Sequence, residues 1–366
     1  PAASSFKALE EVTLVKTVDS TTTTGAETPS SHHAQDIPVT GDIGHTEDIS
    51  SNPLIPVSII PFHQVVLGGR LQLFYHQWSL LTGDAWVLSA VQGLQLDFIA
   101  PPQQTSPPPP LSFSQQDTMI IDRELEDLLI KGAITRTSFL PGGFVSTIFV
   151  VQKRGGGYRL VLNLKECNQW LVYRHFKMEG IHLLRDMLQG QDWMVRLDLK
   201  DAYLAVPIHP SYSKFLQFQW KGNWFRYLSL PFGLSSAPWA FTKIMRPIVE
   251  HLRSRGVRLI IYLDDIILMA QDQTRLRTHL SWAISLLQDL GFLINVQKSV
   301  LNPTQAIEFL GFQIDSIQSQ LRLPTHKVRD IRRELRKALA SQFLSIRALA
   351  RLVGLLAASI QAIFPG

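Results

Sequence analysis

Two adjacent carboxylates, Asp264 and Asp265, interrupt an apolar run that extends from Val257 to Ala270. Strand interiors disfavour aspartate, and a buried unpaired carboxylate is costly. The run therefore reads as two strands, Val257 to Leu263 and Ile266 to Ala270, hinged at the acids. Taken alone, the pair is explained by a hairpin turn, where aspartate is common. A second stretch shifts the balance. Val195 to Leu199 is a short apolar strand with Asp198 near its end, followed by Lys200-Asp201-Ala202-Tyr203. Two strand ends can bring Asp198 beside the hairpin acids. Such a cluster repels itself unless a cation lies in it, and carboxylate oxygen is the donor magnesium prefers. Two ions roughly 3.5–4 Å apart can activate an attacking hydroxyl and stabilise a leaving oxygen on phosphorus. That is phosphoryl transfer by positioning and charge.

The surroundings read as mixed α/β with antiparallel hairpins. A helix is expected from Thr118 to Ile134, with Gly132 at its end. Thr147 to Gln152 and Tyr158 to Leu164 form a hairpin around Lys153-Arg154-Gly155-Gly156-Gly157. Phe215 to Trp220 and Trp224 to Leu228 form another around Gly222-Asn223. Ser235 or Ser236 can cap a helix with Pro238 in its first turn and Gly256 at its end. A further helix runs from about Thr274 to Leu290, and a last hairpin lies near Ile307 to Ile314. Two helices close the sequence, capped by Thr325 and Ser345. Leu67 to Phe98 reads as a small packed element, followed by the Pro107 to Pro110 run, a semi-rigid linker or a polyproline ligand.

At 366 residues the chain can bury a sizeable core, in two or three domains or subdomains. Its net charge of +5 is unevenly spread. Residues 1–52 hold two lysines and eight acids without apolar periodicity, and the rest carries +11. Disorder is expected for the first part. His32-His33 has no partner at ligand spacing. A basic body points to a polyanionic partner, or to a soluble protein that happens to be basic. From Thr325 onward, Val328, Ile331 and Leu335 share a helix face, with Lys327, Arg329, Arg332, Arg333 and Arg336 around the rest. Cys167 is the sole cysteine, so internal disulfides and cysteine-rich zinc sites are excluded. No apolar stretch reads as a membrane span. Pro1 is not a start methionine, and a fragment of a longer polyprotein is expected.

Tyr262-Leu263-Asp264-Asp265 is similar to the Y-x-D-D box of reverse transcriptases. Leu197 to Tyr203 resembles their first palm motif. Leu230-Pro231-Phe232-Gly233-Leu234-Ser235-Ser236-Ala237-Pro238 resembles their L-P-x-G…P motif opening a helix. The ordered set is specific and covers about Leu111 to Ile314. The likeness is nearest to retrotransposons of the DIRS type, the tyrosine-recombinase retroelements, with Gypsy-type and retroviral enzymes next. Leu228 to Met269 carries much of it. So does Gly68-Gly69-Arg70-Leu71 through Trp78 and Trp86, which precedes the fingers in that group.

The resemblance implies an α+β right-hand polymerase fold, with fingers, a palm of antiparallel sheet plus helices, and a helical thumb. The divisions expected are a disordered segment 1–52, an N-terminal extension and Pro-rich linker 53–110, fingers and palm 111–315, and an incomplete basic thumb or connection 316–366. The activity implied is that of an RNA-directed DNA polymerase, a nucleotidyltransferase. Asp198 and Asp264 would ligate two Mg2+ ions, with Asp265 beside them and the Leu199 carbonyl contributing; Mn2+ could substitute. The N–H groups of Asp201 and Ala202 would hold the triphosphate, and Tyr203 would pack under the sugar. Lys153 and Arg159 resemble the basic pair that closes on the triphosphate, although an exposed basic hairpin would look the same. Phe232 and Gly233 would line the nucleotide site, Gly233 letting template and nucleotide approach the backbone. Phe232 stands where retroviral enzymes carry Gln.

Lys298 resembles the lysine proposed to protonate the leaving pyrophosphate, or is a surface lysine. Phe309 with Leu310-Gly311-Phe312 looks like the hairpin that grips the primer end, or is ordinary core strand. The basic helix fits a thumb tracking a duplex, or a solvated face. The implied partners are an RNA or DNA template with primer and deoxynucleoside triphosphates. Ribonuclease H and recombinase regions of the same element would lie outside this chain. An intracellular location, cytoplasm and/or nucleus, is expected, with no membrane and no secretion. Two rivals remain. RNA-dependent RNA polymerases share the palm but usually carry Gly before the Asp pair and lack an aromatic at the Tyr203 position. A domesticated or inactive retroelement-derived protein would bind nucleic acid only.

Overall fold

The computed structural model describes residues 66–109, 111–153 and 156–362. The acidic segment 1–52 with its His32-His33 pair, and Arg154 and Gly155 of the glycine hairpin, lie outside those residues. From Val66 the chain enters the core at once. A 3-10 turn over Arg70–Phe74 leads into α1 (Tyr75–Leu81) and α2 (Ala85–Gly93). Asp84 starts α2 by accepting from the N–H groups of Trp86 and Val87, donors that have no partner within the helix. Leu71, Trp78, Val87 and Val91 are fully buried and belong to the main core. The small element expected from Leu67 to Phe98 is therefore part of the same body as the hairpins that follow.

α3 (Gln115–Ile130) begins at Ser114, whose hydroxyl accepts from the Asp117 N–H. It stops short of the expected Ile134. Gly132 takes φ +67°, and Ile134–Thr137 is strand β1. A left-handed glycine just past the last turn ends a helix, and the β-branched residues beyond it suit a strand. β2 (Thr147–Gln152) and β3 (Tyr158–Asn163) form the expected hairpin, paired from Thr147↔Asn163 to Gln152↔Tyr158. α4 (Ile181–Met187) leads to β4 (Trp193–Asp198), and a single turn, α5 (Ala202–Ala205), leaves it. β5 (Gln217–Trp220) and β6 (Asn223–Tyr227) turn at Lys221 and Gly222, both at positive φ, as a two-residue hairpin loop requires. β1 pairs with β6, giving the order β1-β6-β5.

α6 (Ala237–Ser254) carries Pro238 in its first turn and tolerates Pro247 inside. β7 (Arg258–Tyr262) and β8 (Asp265–Ala270) follow, then α7 (Gln273–Asp289), capped by Asp272. β9 (Val300–Thr304) completes an antiparallel sheet of order β7-β8-β4-β9. Its Pro303 sits on an edge strand, where a missing N–H is tolerated. One sheet face packs on α6 and α7, through Leu197, Leu259, Ile266 and Leu268 against Ile244, Ile248, Leu276 and Leu280. The other face carries Met194, Ile260, Ile267 and Met269. It meets α4 and the β10 (Ala306–Phe309) and β11 (Phe312–Asp315) hairpin through Leu184, Ile307, Phe309 and Ile314. Burial on both faces explains why this region reads as a continuous apolar run rather than an alternation. At the sheet end far from the turn, the fully buried Asp192 accepts from both Arg258 Nη atoms and from Gln271 Nε2.

β12 (Gln320–Arg322) pairs with β11, so the division expected at residue 315 falls inside a sheet. The helical end begins with α8 (Thr325–Ala340) and continues in α9 (Ile346–Ala357). Ser345 caps α9 as expected, accepting from the Ala348 N–H. The cap expected from Thr325 is not formed: Pro324 occupies the cap position and Thr325 is already helical. Among the described residues, no helix is long and apolar enough to cross a membrane.

Candidate active site

The site is assembled by register. In the four-stranded β7-β8-β4-β9 sheet Tyr262 is opposite Asp265, and Asp265 is opposite Asp198. Registered cross-strand residues share a face, so these three form a row across β7, β8 and β4. It is the face that carries Met194, Ile260 and Ile267 further along. Asp264 occupies the turn with Leu263, which takes φ +56° despite its side chain. The Asp264 carbonyl accepts the Leu199 N–H at 3.0 Å, which ties the turn to the end of β4.

Asp198 is held by Asn295 and Ser299, which sequence reasoning passed over although it singled out Lys298 between them. The Asp198 N–H donates to Ser299 Oγ at 3.0 Å, and its carbonyl accepts from the Asn295 N–H at 2.8 Å. Crowding by protein raises the Asp198 carboxyl above the usual carboxylate range, opposed by Lys298 and by a side-chain hydrogen bond from Asn295. The same crowding raises the solvent-accessible Asp264; the Asp198 charge adds to the rise, while Arg159 and Lys298 oppose it. Lys298 thus bears on both acids. Among the described residues, no three His, Cys, Asp or Glu side chains stand grouped tightly enough to hold a metal ion. The donor set nonetheless fits one: oxygen ligands, with Asp198 raising its neighbour, are what a hard divalent cation relieves.

Next to the acids, four side chains from different parts of the chain make a run of contacts, the ring pairs tilted by 31° and 55°. The Arg159 guanidinium lies 3.9 Å from the Phe232 ring centre, Phe232 is 5.4 Å from Tyr203, and Tyr203 is 5.3 Å from Phe241. Burial, then Asp264 and Tyr262, push the Tyr203 hydroxyl upward. Lys153 lies one residue past β2, where its N–H donates to the Gly157 carbonyl at 3.0 Å, and its charge bears on Glu124. Gly233, at φ +102°, meets protein rather than open space: a Cβ would lie 2.5 Å from the Leu162 carbonyl oxygen. Asn168 fixes the same loop, donating to the Gly233 carbonyl at 2.9 Å and accepting from the Ser235 N–H at 3.0 Å. No local pattern marks Asn168, because its partners lie far along the chain.

Asp201 takes φ +47° and turns its carboxylate to Lys131 Nζ at 2.9 Å. Ala202 starts α5 directly after it. Burial pulls the Lys131 ammonium down, but Asp201 and Asp127 together hold it above the ordinary lysine value. Lys131 also escaped sequence reasoning; at a helix end a lysine is readily assigned to the helix dipole. Leu310 and Gly311, at φ +48° and +74°, form the turn between β10 and β11, while Phe309 and Phe312 are buried. Arg196 links this hairpin to the acids: it donates to the carbonyls of Glu308 at 2.7 Å and Lys298 at 2.9 Å, two residues before Asp198.

Residues 151–314 match the family described as reverse transcriptase (RNA-dependent DNA polymerase). These residues form a reverse transcriptase domain of the retrotransposon and retroviral type. That family's class is the RNA-directed DNA polymerases, which are nucleotidyltransferases. The Tf2-3 transposon polyprotein of Schizosaccharomyces pombe is 26% identical over 167 residues, 46% of this chain and 12% of the polyprotein. The enzymatic polyprotein of Figwort mosaic virus is 26% identical over 210 residues, 56% of this chain and 30% of the polyprotein. The chain therefore spans a minor part of these relatives. A foamy viral protease–reverse transcriptase in complex with double-stranded DNA superposes with a TM-score of 0.59 at 20% identity, covering 72% of this chain and 52% of its own. The same protein with an RNA/DNA hybrid gives 0.53 at 19% identity, covering 78% and 39%. The domain has the right-hand polymerase fold.

Proposed function

We propose that the chain is an RNA-directed DNA polymerase of a DIRS-type retrotransposon, extending a primer with deoxynucleotides inside the cell. The observation that carries this reading is the row of Asp198 and Asp265 in register with Asp264 in the adjoining turn, within the matched domain. Two divalent ions, Mg2+ or Mn2+, held by Asp198, Asp264, Asp265 and the Leu199 carbonyl, would supply nucleophile activation and charge neutralisation at phosphorus. The chain's own groups do the positioning. Arg159 and Lys153 bring positive charge to the triphosphate, and the planar Arg159 fork suits phosphate oxygens. Arg159 is supported from below by Phe232. The Asp201 and Ala202 N–H groups orient the triphosphate at the start of α5. Tyr203 meets the sugar. Lys298, whose charge bears on Asp198 and Asp264, would pass a proton to the leaving pyrophosphate. Leu310 and Gly311 present backbone to the primer end, since Phe312 is committed to the core.

Primer extension tests the reading. The full chain is expected to extend a DNA primer on an RNA template with deoxynucleotides and Mg2+, and to stop when the ion is chelated. Binding of primer–template without extension under any divalent ion would favour the retroelement-derived binding protein, and preference for ribonucleotides would favour an RNA polymerase.

The basic α8 gives a separate expectation. Arg332, Arg333 and Arg336 lie on a helix that directly follows the palm hairpins, and a duplex backbone is the proposed partner. Arg333 is already shared with Asp330 at 2.8 Å. Replacing the three arginines by Gln should flatten the slope of log affinity against log salt by up to ~0.9 for each phosphate that is no longer neutralised. An unchanged slope, measured by fluorescence anisotropy on a primer–template duplex, would make the helix only a solvated face.

A further inference from the structure

Gly68-Gly69-Arg70 is a motif that the proposed chemistry leaves unused. In the fold it lies against both flanks of the turn that leaves the catalytic strand. Gly69 donates its N–H to the Leu204 carbonyl at 2.8 Å, one residue beyond Tyr203. Leu67 and Gly68 donate to the Lys131 carbonyl at 3.0 and 2.7 Å, and Lys131 Nζ holds the Asp201 carboxylate at 2.9 Å. A Cβ on Gly68 would stand 2.2 Å from the Gly132 carbonyl oxygen, so the segment approaches as closely as backbone can. Gly69 holds φ +67°.

The other flank is braced by the same segment. Arg70 Nε donates to the Gly291 carbonyl at 3.1 Å, and Trp78 Nε1 to the Leu290 carbonyl at 3.0 Å. The chain then runs on to Leu293, whose carbonyl accepts the Lys200 N–H at 2.8 Å, and to Asn295, which holds Asp198. Tyr203 itself sits on a four-residue helix. One turn cannot hold its own place, because helix nucleation is unfavourable without outside support. A gate that works by contact between a ring edge and a 2′-hydroxyl needs its backbone fixed from elsewhere.

We propose that Gly68-Gly69-Arg70 is a positioning clamp for the Asp201–Tyr203 turn, and so sets the discrimination between deoxyribo- and ribonucleotides without touching either. The proposal rests on the reading of Tyr203 as the group that meets the sugar.

The test compares Gly69→Asn, Gly69→Val and Lys131→Met with Tyr203→Val in the full chain. Asn enters the left-handed region readily, whereas a β-branched residue does not. Single-nucleotide insertion with paired deoxy and ribo substrates gives the ratio of their kcat/KM values. Gly69→Asn should keep that ratio within about twofold of the parent, and Gly69→Val should move it toward ribonucleotides roughly tenfold. Should Gly69→Val fail to fold, Lys131→Met carries the same expectation, since it removes the Asp201 partner and leaves the glycines alone. A ratio moved by Tyr203→Val but by neither clamp variant overturns the clamp and leaves the gate standing. A ratio moved by none of the variants overturns the gate, and the clamp falls with it.

Discussion

Asp264→Asn is expected to abolish primer extension, by at least ~10³ in single-turnover rate, since loss of several kcal/mol of ion-based stabilisation has that effect. The substitution is nearly isosteric, and the turn that holds it is made by backbone. The Leu199 N–H donates to the Asp264 carbonyl, which asparagine keeps. What disappears is the negative charge. That charge is crowded by protein and disfavoured by Asp198; a backbone hydrogen bond, Arg159 and Lys298 favour it, but on balance the carboxyl is raised, so the charge does not stabilise the turn in the absence of a cation. Two measurements therefore separate chemistry from folding. Affinity for primer–template should stay within a few fold, and thermal unfolding without divalent ions should be unchanged or shifted upward. Extension near the parent rate would remove Asp264 from the ion site.

Tyr203→Val should raise ribonucleotide insertion relative to deoxyribonucleotide insertion by on the order of 10–100-fold, the range one misfitted group in a pocket can command. The ring is clamped between Phe232 and Phe241, so its edge is presented in one place rather than over a range. Valine removes that edge. It also leaves a gap beneath Phe232, on which Arg159 rests, so overall activity should fall as well. The ratio of kcat/KM for paired substrates isolates the gating effect from that loss. A lower rate with an unmoved ratio would make Tyr203 a packing residue.

The two acids and their turn were legible because they break a pattern. Carboxylates within an apolar run have few explanations, and the register brings Asp198 opposite Asp265, as the expected meeting of two strand ends required. The hairpins at Gly156-Gly157, Gly222 and Gly311 were legible for a related reason: each turn needs a left-handed residue, and each supplies glycine. Expectations failed where two local rules competed. Ile134 continues the apolar spacing of α3, yet Gly132 had already ended the helix, and the β-branched residues beyond were captured by a sheet. β9 was hidden by Pro303, which counts against a strand unless the strand is known to be an edge.

By itself, the sequence determined most of the helices and hairpins and their turns to within a residue, because these follow from periodicity and backbone freedom: the turns expected at Gly222-Asn223 and at Asp264-Asp265 form one residue earlier, at Lys221-Gly222 and Leu263-Asp264. Tertiary structure decided which groups meet. Lys131 on Asp201, Asn168 on Gly233, Arg196 on Glu308 and Gly69 on Leu204 join residues far apart in the chain, through ordinary polar groups that carry no local signature. It also decided that the segment from Leu67 to Phe98 is part of the main core, since Trp78 finds its hydrogen-bond acceptor only at the end of α7. A buried indole N–H needs such a partner, but nothing nearby in sequence says where the carbonyl will be.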